Sequence, residues 1–384
     1  MVGFGAIYSY GAFSTTLAST FDASLTSTSI ILSLSTGTTF AISAASGILT
    51  KRFGCRSLAI AGMVTISVGL MLAATSTNLH EIYCYYGALV GVGTGLAYVP
   101  AFAAVQRWFV TWRGLASGIA ASGIGVGTFL ISPMTDMLSP LGDWRVTFNI
   151  CACLVILVGL PGALMLSDSP DENRGESPDD ILHPGLPKTE APGVSLRYAM
   201  LSQTFGWMYF GILLVSLPVV LPYAYLASTA RSGGFDGKHA LQLISILGVG
   251  SVIGRGLIAA IADRLGRREV FLVCCIGISV STVVWAVGNG LLFYGFALSF
   301  GIFYGGFVAL MPAFIVDNFG RHNAAGVMGL IYSGRAFAGL LGPPIVSFLI
   351  ARWHGHTFPL EMIAIVAAIG CFQLMRVRPL VIEA

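Results

Sequence analysis

Residues 244–268 read ISILGVGSVIGRGLIAAIADRLGRR. The run stays apolar and glycine-dotted for about 20 residues, enough to cross a hydrocarbon core of about 30 Å at about 1.5 Å rise per residue. One charge, Arg255, stands inside it. The run ends in a compact polar cluster, Asp263, Arg264, Gly266, Arg267 and Arg268, which reads as a helix leaving the membrane on a basic side. A charged side chain at mid-span costs at least about 2.5–3.5 kcal/mol, so it persists where water, a partner or a ligand offsets that cost.

The whole chain resembles this stretch in character. Of its 384 residues 55% are hydrophobic and 10% charged, with mean hydropathy +0.83. That leaves too little polar surface to coat a water-soluble globule and excludes a nucleic-acid-binding surface. The apolar runs lack the alternation of barrel strands, so helices are the spanning element. The seven cysteines form no C-x-x-C pair and fall mostly in apolar runs, as small buried hydrophobes do. His354 and His356 sit in a loop without further ligands, and Gly91, Gly93 and Gly95 follow no strand. Neither a metal, a cofactor nor a nucleotide is therefore expected.

Twelve helices are predicted, at about 2–21, 26–49, 57–76, 80–104, 114–137, 145–166, 199–228, 239–262, 269–288, 290–315, 324–350 and 358–376. The first reads short on its N-terminal side, as if its opening turns were missing. Residues 167–198, rich in Pro and acids, read as a linker between bundles 1–166 and 199–384. Of twenty Lys and Arg, fourteen follow even-numbered helices or the last one, while Arg145, Arg231, Lys238 and Arg352 occupy the opposite loops. The positive-inside rule then puts both termini and the linker in the cytoplasm.

The two halves repeat each other. GILTKRFGCR, ending at Arg56, aligns with AAIADRLGRR, ending at Arg268, and PAF at Pro100 recurs at Pro312, both 212 residues on. GIAASG at Gly118 pairs with GLIYSG at Gly329, and Pro133 with Pro344, 211 residues on. Parallel repeats of this kind enclose a substrate cavity near mid-membrane. Small-x-x-x-small spacings, as at Gly87, Gly91 and Gly95, allow the helices to pack closely.

Twelve helices in two sixes, a long linker, DWRVTF opening the sixth helix and the loop pattern G-x-x-x-D-R-x-G-R-R resemble the major facilitator superfamily. The resemblance implies an all-α integral membrane protein of two pseudo-symmetric six-helix bundles. Lys51 stands where the second loop has Asp263, so the charge lock that the family builds on that acid is not expected in the N-terminal half.

The last two of the twenty cations are Arg255 and Arg335, the only ionisable groups inside predicted helix cores; none of the seventeen acids is mid-helix. Guanidinium stays protonated and offers a planar fork matched to carboxylate. The competing reading for Arg255 is a side chain stretched to the cytoplasmic interface near Asp263. Tyr8, Tyr98, Tyr304 and Tyr332 are candidate cavity tyrosines, although aromatic residues are also ordinary membrane core.

GRGLIAAIADR and GLIYSGRAFAG are similar to the monocarboxylate transporter and oxalate:formate antiporter branch. That resemblance implies carboxylate binding by Arg255 and a second substrate cation at Arg335. Proton-coupled animal members have an aspartate one turn before the helix-8 arginine and a lysine in helix 1; here the residues are Ser251 and Ser14. The expectation is a monomeric secondary transporter of small organic anions (lactate, pyruvate, formate or oxalate-like dicarboxylates) working by exchange or proton-linked symport. A sugar or drug carrier, or a transporter-like anion sensor, is the alternative. An enzyme is not expected, because no nucleophile–base constellation is present. A bacterial inner membrane is the expected location.

Overall fold

The structure, a computed structural model, describes residues 16–109, 112–124, 144–167, 194–320, 323–353 and 355–380. Helices account for it almost throughout. They are α1 (Leu25–Ala74), α2 (Leu79–Trp108), α3 (113–124), α4 (Trp144–Met165), α5 (Gln203–Ser232), α6 (237–265), α7 (Arg267–Val287), α8 (Leu291–Phe319), α9 (Ala324–Trp353) and α10 (Thr357–Met375). Among the described residues nine stretches are long and apolar enough to span a membrane. Large apolar side chains such as Leu157, Phe348 and Ile365 face outward, while Thr36, Ser43, Arg255 and Arg335 are buried. That inversion of the soluble pattern marks lipid as the solvent. The chain is an integral membrane protein.

Several expectations need adjusting. The second and third predicted helices both form and together make up α1, meeting at a kink at Gly54, which has φ 77°. Its counterpart Gly266 has φ 109° and separates α6 from α7. Both adopt a left-handed backbone that side chains disfavour, so a single glycine turns the chain at each basic loop. The two glycines are 212 residues apart, the spacing of the sequence repeat. The seventh predicted helix divides into a short helix, Leu196–Leu201, and α5, which Ser202 caps by accepting the Phe205 N–H. Of the first predicted helix only its end, 16–20, is described, and of the fifth only 113–124.

Hydroxyls and glycines hold the helices together, as expected where apolar burial does not separate protein from solvent. On α1, Ser35, Thr38, Thr39 and Ser46 donate to the α2 carbonyls of Tyr86, Gly87, Gly91 and Leu96, each at 3.2 Å. A methyl added at Gly91 or Gly95 would fall on Thr38 or on the Thr39 carbonyl. Between the halves, α1 crosses α9 where Gly47 meets the Ala325 carbonyl and Gly329 meets that of Ser43. Likewise α3 crosses α6 at Gly118, which lies against the carbonyl of Arg255 itself. Thus the helix carrying the buried arginine touches the other half through that residue's own backbone.

Two neighbouring glycines on α6 provide a contrast. A Cβ at Gly254 would strike the Ile302 carbonyl of α8, whereas one at Gly256 would meet nothing within 4 Å. Gly254→Ala should therefore cost about 1–3 kcal/mol and lower the thermal unfolding temperature in detergent, with Gly256→Ala neutral. Equal shifts for the two variants would contradict this packing.

Candidate substrate site

Arg255 belongs to a π-helical turn of α6, Gly254–Ile258. Such bulges offset the register of a helix and recur at functional positions. The side chain is 2% exposed, which excludes the stretched, interfacial reading. Its guanidinium carbon lies 5.8 Å from the Tyr304 ring centroid on α8. Among the described residues its Nε has no acceptor and no carboxylate is paired with it. Tyr223 of α5 meets Tyr304 edge to face, at 6.4 Å between ring centroids, and interacts electrostatically with Arg255.

Arg335, on α9, is 3% exposed and lies between two rings: its guanidinium carbon is 4.3 Å from the Phe40 centroid of α1 and 5.7 Å from that of Phe307 on α8. It interacts electrostatically with Tyr98 of α2, while its Nε and Nη1 have no acceptor among the described residues. Tyr98 interacts electrostatically with both arginines. Tyr332, fully buried, packs on Tyr98 at 5.5 Å and on Phe40 at 6.2 Å, and its hydroxyl has no partner. Helices α1 and α2 of the first half and α8 and α9 of the second thus meet around one aromatic-walled cluster. A cation held on rings in this way keeps its charge while losing water, which favours anion binding along its edge.

The structure therefore brings together Arg255, Arg335, Tyr98, Tyr304 and Tyr332. Tyr8 and Ser14 lie outside the described residues. Phe40, Phe307 and Tyr223 belong to the cluster and were not singled out from sequence. A separate pocket of about 530 Å³, between Gly233, Gly288, Phe293 and His356, involves none of these residues. Among the described residues no group of His, Cys, Asp and Glu could hold a metal ion.

The basic-loop cluster makes a second device. Asp263, whose side chain is 1% exposed, accepts the backbone N–H of Gly114 at 3.1 Å and of Leu115 at 2.8 Å, so a carboxylate of one half caps α3 of the other. Arg267 donates to Asp263 at 3.3 Å and to Asp317 at 2.6 and 3.2 Å, and Arg113 reaches Asp317 at 3.0 Å across the halves. Arg268 donates to the carbonyls of Met375 and Val377, at 2.9 and 3.4 Å, and Arg264 is exposed. Lys51, at the matching place in the first half, is exposed. Arg113 and Asp317 complete this network. Their helix-end positions give no hint of it in the sequence.

A sequence profile of the Major Facilitator Superfamily matches residues 1–343 and 199–381. The chain belongs to the major facilitator superfamily. As a major facilitator it is a transporter and not an enzyme. Its similarity extends to the monocarboxylate-transporter branch. It is 29% identical over 361 residues to monocarboxylate transporter 12-B of Danio rerio, covering 86% of this chain and 74% of that one. It is 28% identical over 342 residues to human monocarboxylate transporter 12, covering 81% and 65%. The MFS-type transporter pynF of Aspergillus niger is 28% identical over 316 residues, with coverage of 80% and 70%.

In fold the chain superposes on the proton:xylose symporter XylE with a TM-score of 0.78, at 14% identity and coverage of 98% and 94%. The human organic anion transporter MFSD10 gives 0.74 at 14% identity, with 97% of each chain covered. The sequence relatives are animal and fungal, so a bacterial inner membrane finds no support in them.

The Asp263 cap and the Arg113–Asp317 bridge hold the halves together at the basic end. Asp263→Asn combined with Asp317→Asn should open that end. A cysteine replacing buried Ser117 in a cysteine-free background would then be alkylated by a polar reagent at least about fivefold faster, as a bias of about 1 kcal/mol requires. Unchanged labelling would show that the network does not hold this end closed.

Proposed function

We propose that this protein is a secondary transporter of small organic anions that grips the substrate carboxylate with Arg255 and Arg335 and moves it by alternating access. The observation that carries this reading is Arg255, buried at 2% exposure, resting on Tyr304 and matched by no carboxylate among the described residues. Lactate, pyruvate, formate and oxalate-like dicarboxylates fit that chemistry. The similarity to proteins named monocarboxylate transporters supports it. Tyr98, Tyr304 and Tyr332 wall the site, with Phe40 and Tyr223 beside them, and Tyr8 is assigned to the same cavity.

The proposed architecture is twelve spans in two bundles, 1–166 and 199–384, with 167–198 as a cytoplasmic linker, both termini in the cytoplasm and a monomeric unit. In this reading α3 carries the opposing half past α6, with the Asp263 network opening and closing the cytoplasmic end. A sugar carrier, a drug carrier or a sensor with purely structural arginines would leave the Arg255 Nε buried without an acceptor throughout its cycle, at a cost that nothing offsets.

Charge also bears on mode. Reorienting an empty cavity that holds two cations is costly, and bound anion lowers that barrier, which favours exchange. Proton-linked symport brings the proton by another route, since arginine is a poor proton carrier.

Counterflow of labelled lactate, pyruvate, formate and oxalate in proteoliposomes tests the reading. Arg255→Met and Arg335→Ala should each cut flux at least about tenfold, and Arg255→Lys, which keeps the charge and loses the fork, should fall between. No flux of any carboxylate, or wild-type flux in both neutral variants, would overturn it. Imposing a pH gradient separates the modes: symport follows the gradient, and exchange follows only the anion inside.

A further inference from the structure

Buried hydroxyls in these helices normally bond the carbonyl one turn back, as Ser35, Thr36, Thr39, Ser43, Ser67 and Thr282 do. Ser251 departs from this. It is 3% exposed, and among the described residues its hydroxyl has no hydrogen-bond partner. Ser33 and Ser216 share that condition, but of the three only Ser251 lies one turn before a buried guanidinium on its own helix. A buried unmade hydrogen bond is costly, and the carbonyl that would satisfy it is available on the same helix.

The neighbourhood fixes where this hydroxyl stands. Gly301 and Gly305 of α8 pack against the Ser251 backbone, Gly301 on its N–H and Gly305 on its carbonyl and on the Arg255 nitrogen. Tyr304, between those glycines, is the ring beneath the Arg255 guanidinium. Helical side chains lean toward the N-terminus, so Arg255 extends back over the turn that carries Ser251. Residues four apart on a helix are neighbours on one face. The backbone at Ser251 is pinned by close helix contact with α8.

Two kinds of donor therefore stand next to each other: a guanidinium fork that suits the two oxygens of a carboxylate, and a neutral hydroxyl one turn away. We infer that the Ser251 hydroxyl donates to an oxygen on the carbon beside the bound carboxylate, making it a specificity-determining residue for 2-oxo and 2-hydroxy acids over their unsubstituted counterparts. This rests on the carboxylate reading of Arg255. Sites built to hydrogen-bond a substrate oxygen discriminate against analogues without it, because the buried group is then left unpaired.

The test uses two substrates that differ only at that carbon. Half-inhibitory concentrations of pyruvate and propionate are measured against counterflow of a labelled carboxylate, in the wild type and in Ser251→Ala. The wild type should prefer pyruvate, and Ser251→Ala should weaken pyruvate about tenfold while propionate changes less than about twofold, the signature of one lost hydrogen bond. Ser251→Thr, which restores a hydroxyl, should recover part of the preference. Removing an unpartnered hydroxyl should leave thermal stability unchanged or higher, so a folding defect would be visible separately. A parallel loss for both acids, or no loss for either, would overturn the role of Ser251 and leave the carboxylate reading standing. Wild-type protein that recognises neither acid and carries no carboxylate would overturn both.

Discussion

A guanidinium buried in a membrane protein with no carboxylate partner among the described residues is the constraint on which the rest of this structure turns. On the most lenient insertion scale its burial costs about 2.5–3.5 kcal/mol. The Tyr304 ring returns part of this, since a desolvated cation–π contact is worth up to about 2 kcal/mol. The balance is left to something that comes and goes. An anion supplies both the charge and the acceptor that Nε lacks, and a transporter is the kind of protein in which such a residue can be held ready. Arg335 solves the same problem differently: its guanidinium lies over the Phe40 and Phe307 rings, and Tyr98 interacts with it electrostatically.

The same helix joins binding to closure. On α6, Arg255 meets the substrate cluster with its side chain and Gly118 of the opposing half with its carbonyl. Two turns later Asp263 caps α3, the helix that carries Gly118. A displacement of α3 therefore strips the Asp263 carboxylate of two backbone donors and moves the contact at the Arg255 backbone in one step. Gly114, Gly118 and Asp263 form a continuous seam, and rigid helices transmit motion along such a seam without any flexible intermediary.

Much of this was legible in the amino-acid sequence, for physical reasons. Charges are rare in apolar spans, so Arg255 and Arg335 stand out by simple inspection, and the 212-residue repeat points to the turn at Gly266 and its partner near Arg56. Tyr332 is three residues before Arg335, close enough to be read with it. Phe40 and Phe307 were not visible, because each is one of 24 phenylalanines and nothing local separates a ring that carries a cation from one that packs on lipid. Arg113 and Asp317 were hidden too: 204 residues apart, they meet only when the halves assemble. The break at Gly54 was expected as a loop, and proved to be a kink at a single glycine of positive φ between two helices.

The central claim, that Arg255 is held unpaired for an anion, is tested most directly by the thermal unfolding of purified protein titrated with a monocarboxylate. A ligand that binds the folded state raises stability as the logarithm of its concentration over its dissociation constant. Wild-type protein should show a rise that grows logarithmically once the monocarboxylate exceeds its dissociation constant. Arg255→Met should begin at an equal or higher unfolding temperature, because an uncompensated buried charge has been replaced by an apolar chain of similar length, and should show no rise. A variant that starts lower than the wild type and is stabilised by carboxylate to the same extent would contradict the claim and return Arg255 to a structural role.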